Sequence, residues 1–151
     1  MPVARSAPKR RRKARASVGA TRAAALRRTA DSSRPARTAI IDIGSNTIRL
    51  VVYEGVTSLS APLFNEKIHC ELARGLADSG RLNPKGRARA MAALSRFARL
   101  ARKMGAGKIL AVATAAARVA KDGESFVASI RRRFRINVRV LSGAQDRKSV
   151  V

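Results

Sequence analysis

Residues Asp42-Ile43-Gly44-Ser45-Asn46-Thr47 combine a carboxylate, a glycine and three small side chains able to donate hydrogen bonds. That mixture suits phosphate and Mg²⁺ chemistry. Gly44 allows a tight turn and close backbone approach to a ligand. Successive N–H groups in such a turn form an anion-binding concavity, and Ser45, Asn46 and Thr47 add side-chain donors. Asp42 could hold a metal ion directly or through water. The hexapeptide alone admits a second reading, since Gly-Ser-Asn is also an ordinary hairpin turn. Other nucleophilic or metal chemistry has little support. His69 is the only histidine and falls on the polar side of an alternating run, so an exposed strand position is expected. Cys70 falls on the apolar side, as a buried core thiol would.

The elements around this segment must hold it. Ala39 to Ile43 is a short apolar run suited to a buried strand, and Ile48 to Glu54 reads as a second. A third alternates Phe64, Ile68, Cys70 and Leu72 against Asn65, Lys67, His69 and Glu71. Asn83-Pro84 signals a helix start. Met91, Leu94, Ala98 and Ala101, widened by Phe97, Leu100 and Met104, form its apolar stripe until Gly105 and Gly107 end it. Lys108 to Ala113 reads as a strand. A second helix, capped by Asp122, buries Phe126, Val127, Ile130 and Phe134, and Ile136 to Leu141 alternates as a fifth strand. The expected order is β-β-β-α-β-α-β, a mixed sheet covered by helices.

The chain has 151 residues, with 33 Lys plus Arg against 9 Asp plus Glu and a net charge of +24. One domain is the natural reading of that length. Residues 1–38 hold twelve of the bases, one acid and almost nothing to bury, which predicts a disordered basic tail. Its acid-poor, Arg-rich composition also has the character of an organellar transit peptide. The charge favours polyanionic partners, including non-specific nucleic acid through the tail. Five aromatic residues leave little for base stacking. No apolar run reaches the length of a membrane span, so no membrane partner is expected. The single cysteine points to a reducing cytoplasm.

Four segments in order carry a resemblance. Ile41 to Val52 resembles the opening strand–turn–strand of the exopolyphosphatase/guanosine pentaphosphate phosphohydrolase (Ppx/GppA) family. Leu72-Ala73-Arg74-Gly75-Leu76 with Gly80-Arg81-Leu82 is similar to the stretch before that family's first long helix. Ala113-Thr114-Ala115-Ala116-Ala117-Arg118 resembles its Ala-Thr-x-Ala-x-Arg signature. Val140-Leu141-Ser142-Gly143 resembles the strand end leading into Ser-Gly-x-Glu-Glu-Ala. The resemblance implies an actin-like (ribonuclease H-like) α/β fold of two domains, residues 39–145 forming an incomplete first one. It implies Mg²⁺ dependence, with Asp42 at the metal, Gly44, Ser45, Asn46, Thr47 and Arg118 at phosphate, and release of terminal phosphate from polyphosphate or guanosine pentaphosphate. It also implies a homodimer when full length, and a missing second domain carrying Asp-x-Gly-Gly-Gly-Ser.

Asp146 falls where the family has its catalytic general-base glutamate, one methylene longer. Residues 146–151, however, can be encoded by GAT CGG AAG AGC GTC GTG, similar to the start of a common short-read sequencing adapter. The expectation is therefore a non-native tail in which Asp146 is not inherited, and a fragment inactive by itself. Two other readings compete with the hydrolase: a basic nucleic-acid-binding protein, and a fragment of another actin-like ATPase or sugar kinase.

Overall fold

The computed structural model describes residues 36–55 and 61–148. Most of the basic segment and the last three residues lie outside that range. Strand β1 (Arg37–Ile43) starts two residues earlier than its apolar run suggests. It buries Ala39, Ile41 and Ile43 and exposes Ile40 and Asp42, the period-two pattern of a strand packed on one face. It pairs antiparallel with β2 (Thr47–Glu54), which pairs antiparallel with β3 (Pro62–His69). On its other side β1 pairs parallel with β4 (Ala106–Ala113), which carries the short parallel strand β5 (Val138–Val140). The order across the sheet is β3-β2-β1-β4-β5.

Helices supply the parallel crossovers. After a single turn, α1 (Leu76–Ser79), comes the long helix α2 (Pro84–Lys103). Asn83 caps α2 as its sequence predicts, its side chain accepting from the Lys85 N–H at 3.1 Å. Between β4 and β5 run α3 (Ala115–Val119) and α4 (Gly123–Phe134), and α5 (Gly143–Lys148) follows β5. The core joins Ile41, Ile43, Ile48, Leu50 and Val52 of the sheet to Leu94 and Phe97 of α2 and to Phe126 and Ile130 of α4.

The expected covering of the sheet holds for one face among the described residues. Ile40, Leu63 and Leu110 on the other face are 36%, 44% and 42% exposed. The third strand is also shorter than its alternation suggests. It ends at His69, and Glu71 turns the chain with a left-handed φ of 56°. Cys70 and Leu72 remain buried although they lie beyond it. Burial outlasts the strand here, which is why the alternation reads on too far.

Candidate functional site

The segment between β1 and β2 is a hairpin turn, and Ile43 pairs with Ile48 across its base. The Gly44 N–H donates to the Thr47 carbonyl at 2.9 Å. Gly44 does not take a left-handed φ, so its constraint is space: a Cβ there would lie 3.0 Å from the Thr47 carbonyl oxygen. The turn is clamped through its carbonyls. Asn46 O accepts from the N–H groups of Cys70 (2.8 Å) and Glu71 (2.9 Å), and Ser45 O accepts from Ala73 (3.0 Å). Among the described residues, the N–H groups of Ser45 and Asn46 donate to no other protein group. A turn fixed by its acceptors, with two successive N–H groups unengaged, is chemically suited to an anion.

The ends of the neighbouring strands are laced to this turn. Thr114 N donates to Ile43 O at 3.1 Å, joining the ends of β4 and β1, and Leu141 N donates to Ala113 O at 2.9 Å, joining those of β5 and β4. Helix α3 leaves from this junction and carries Arg118. The Arg118 Nη1 donates to the Leu141 carbonyl at 2.7 Å, and Gly143, at the start of α5, lies beside the same guanidinium. Gly44 to Thr47, Arg118 and the 141–143 segment thus share the carboxyl end of the parallel strands, where ligands bind in open α/β sheets. Asp42 sits one residue back on β1, exposed on the uncovered face and opposite Arg49. Asp146 lies in α5, and its side chain falls outside the described residues.

Three features of the supporting shell were not apparent from sequence spacing. The 70–83 segment braces the turn. Asn83 Nδ2 donates to Glu71 O at 3.2 Å, and Arg89 spans Cys70 O (3.0 Å) and the Glu71 carboxylate (2.6 Å). Helix α2 approaches so closely that a Cβ on Gly86 would lie 2.7 Å from Glu71 O. Asp122 enters α4 as expected but makes no side-chain cap there. Its carboxylate instead accepts from Leu82 N (2.9 Å) and from Arg87 Nη1 (2.7 Å). Burial alone would raise the Asp122 pKa, but the N–H groups of Leu82 and of Asp122 itself, together with the Arg87 guanidinium, hold it below the ordinary carboxylate value. Burial pushes the Cys70 thiol up against the lowering effect of Arg89, so this cysteine is a core residue and not a nucleophile.

The residues present would admit Mg²⁺ in one mode only. Among the described residues no three His, Cys, Asp or Glu side chains converge on a point that would hold an ion unaided. A single carboxylate, Asp42, two residues before the turn, suits only an ion that takes one or two carboxylates and draws its other ligands from substrate phosphates and water. No helix among the described residues is long and apolar enough to cross a membrane.

Comparison with known proteins bears on the family and the fold. The model of the Ppx/GppA phosphatase family matches residues 51–149. Over 111 residues the chain is 26% identical to Exopolyphosphatase 1 of Mycobacterium tuberculosis, covering 73% of this chain and 32% of that protein. Among solved structures it is similar to the Aquifex aeolicus Ppx/GppA family member, with a TM-score of 0.69 and 26% identity over 74% of this chain and 36% of that one. It is similarly close to an exopolyphosphatase from Cytophaga hutchinsonii, with a TM-score of 0.67 and 27% identity over 72% and 35% of the two chains. The chain spans about a third of the length of the curated relatives it matches.

Proposed function

The chain belongs to the Ppx/GppA phosphatase family, and on that premise we propose that it forms one wall of the cleft of a hydrolase that releases terminal phosphate from inorganic polyphosphate or guanosine pentaphosphate. The fold is the actin-like α/β arrangement of that family, five strands backed by helices. One observation carries the functional reading: the 44–47 turn holds its carbonyls fixed and leaves the Ser45 and Asn46 amides for a ligand, at the strand ends where Arg118 also lies.

In this reading the terminal phosphate binds the amides of the turn and the Asn46 and Thr47 side chains, while Arg118 offsets charge on the transferring phosphoryl group. Asp42 would hold Mg²⁺, which when bound supplies charge neutralisation at the phosphate oxygens. The family's general-base glutamate falls at position 146 on α5, where this chain has an aspartate one methylene shorter in the segment read as non-native. Phosphoryl transfer relies on positioning within a closed cleft. Residues 1–151 therefore bind the phosphate end of the substrate and do not turn it over alone. Tripolyphosphate titrated into this chain with Mg²⁺ tests the reading by calorimetry. Saturable binding weakened by Asn46→Ala supports it. Binding indifferent to Asn46, or robust phosphate release by these 151 residues, would sink it.

A further inference from the structure

A groove of about 580 Å³ runs between α2 and α4, lined by Arg87, Met91, Ser95, Arg96, Arg99 and Arg133. It meets a second hollow of about 650 Å³ at Arg87, which lines both. That hollow adds Arg74, Arg81, Asn83 and Asp122. Arg74 and Gly75 of its lining directly follow Ala73, whose N–H donates to Ser45 O of the 44–47 turn. Arginines therefore follow one another from the carboxyl end of the sheet onto the helical layer.

Acids answer only part of this charge. Asp122 is taken by Arg87, Glu66 by Arg96, and Glu71 by Arg89 with a longer contact to Arg74. Among the described residues no carboxylate pairs with Arg81, Arg99 or Arg133. The cations are all guanidinium groups, whose planar forks match phosphate oxygens in pairs. The two rings nearby, Phe126 and Phe134, are buried beneath Arg87 and Arg133. They offer no face on which a base could stack, and single-stranded nucleic acid is recognised largely by such stacking. The lining therefore offers guanidinium groups to phosphates and no exposed ring to a base.

We propose that this hollow and groove form a track for the interior of a linear inorganic polyphosphate chain, whose end reaches the Gly44–Thr47 turn. The direction of the track rests on the reading of that turn as the terminal-phosphate site. Occupancy of the groove by a phosphate chain does not.

The test is equilibrium binding of long-chain polyphosphate to residues 1–151 across a salt series. Arg99→Gln with Arg133→Gln removes the two groove arginines that lack acids. Lys108→Gln with Arg139→Gln removes two exposed charges elsewhere and serves as the charge-matched control. The groove pair should weaken binding several-fold more than the control and lower the slope of log K against log salt by about 1.4, two phosphate contacts at the single-strand value. Arg99→Lys with Arg133→Lys keeps the charge without the forks and should recover part of the affinity lost by the glutamine pair, which excludes misfolding as the cause. Equal weakening by both glutamine pairs overturns the track, as does an equal loss for a single-stranded oligonucleotide. Tripolyphosphate separates the two readings. The groove variants should bind it unchanged, whereas its survival in Asn46→Ala would remove the terminal-phosphate site and leave the track standing on the long-chain result.

Discussion

The Arg118 guanidinium donates to the carbonyl of Leu141 at 2.7 Å, so a side chain from the five-residue helix after β4 fastens the end of β5. The two residues are 23 apart in sequence, yet this contact sets how α5 leaves the sheet. It also fixes a guanidinium at the carboxyl end of the strands. The contact gives Arg118 a structural role, and the proposed function adds a charge-stabilising one, which substitutions can separate.

Arg118→Ala should weaken Mg²⁺-tripolyphosphate binding about tenfold, the equivalent of one charge-assisted hydrogen bond of about 1.5 kcal/mol. Amide exchange in residues 138–143 should quicken as well. Arg118→Lys keeps charge but not the fork, and should recover part of the affinity. Calorimetry and hydrogen exchange on the same samples check both. Unchanged binding with faster exchange would leave Arg118 a purely structural residue.

Gly123→Ala should be among the most destabilising single-methyl additions in the chain. The added Cβ would run into the Ala117 carbonyl, backbone that no rotamer change can move aside. Helix α3 or α4 must shift, at a cost of about 2 kcal/mol typical of overpacking. Because α3 carries Arg118, ligand affinity should fall together with the denaturation midpoint. Gly143→Ala, whose Cβ meets nothing closer than the Arg118 guanidinium at 3.9 Å, is the mild comparison.

Asp122→Asn should flatten the acid limb of the stability curve. The folded pKa of Asp122 lies below its unfolded value of about 3.9. Its contribution is therefore complete above the unfolded pKa and is lost as pH falls through the folded one. The variant should be less stable than the parent near neutral pH and converge with it in strong acid. Urea midpoints across that range provide the measurement, and a constant gap at every pH would contradict the assignment.

The sheet-forming residues were legible because strand alternation and the stripe of α2 are local signals. Gly44 to Thr47 stood out for the same reason, a turn signal between two apolar runs. Helix α3 was not legible as a helix. Five Ala-rich residues have no room for an amphipathic stripe, and the helix rests on the close approach of Gly123 to Ala117. Asp122 shows a subtler gap. Its type marked the start of α4 correctly, but its carboxylate serves Leu82 and Arg87, some 40 and 35 residues away. Partner choice depends on packing of α2 against α4, which no local pattern encodes. Glu71 taking a left-handed turn was equally hidden, since its alternating neighbours stay buried past the strand end.

Arg135 offers a stabilising substitution. It caps α4 at φ 57°, with its N–H on the Arg131 carbonyl at 2.9 Å. A non-glycine residue pays about 1–2 kcal/mol for that conformation. Glycine removes the cost but adds freedom to the unfolded chain, worth about 0.4–1 kcal/mol in the other direction. Arg135→Gly should therefore raise stability by about 0.5–1 kcal/mol net of the two. Thermal and urea unfolding would show it, and a fall in both midpoints would mean that the arginine contributes more through its side chain than its backbone costs.

The phosphate turn itself gives the last prediction, because two neighbouring substitutions should fail in different ways. In Gly44→Ala the new Cβ lies 3.0 Å from the Thr47 carbonyl oxygen, tighter than ordinary van der Waals contact. The turn must open, stretching the Gly44–Thr47 hydrogen bond at the base of the hairpin and shifting the Ser45 and Asn46 amides. Stability should drop by about 1 kcal/mol, in the range for overpacking, and tripolyphosphate affinity should fall with it. In Asn46→Ala the backbone clamp survives, since Cys70 and Glu71 donate to the Asn46 carbonyl and not to its side chain. The melting temperature should stay within about 3 °C of the parent while affinity still falls, because an exposed surface truncation costs little stability, within about 0.5 kcal/mol. Paired calorimetry and thermal unfolding distinguish the two. If Asn46→Ala unfolds as early as Gly44→Ala, the side chain is part of the scaffold and the turn's donors are not held ready for phosphate.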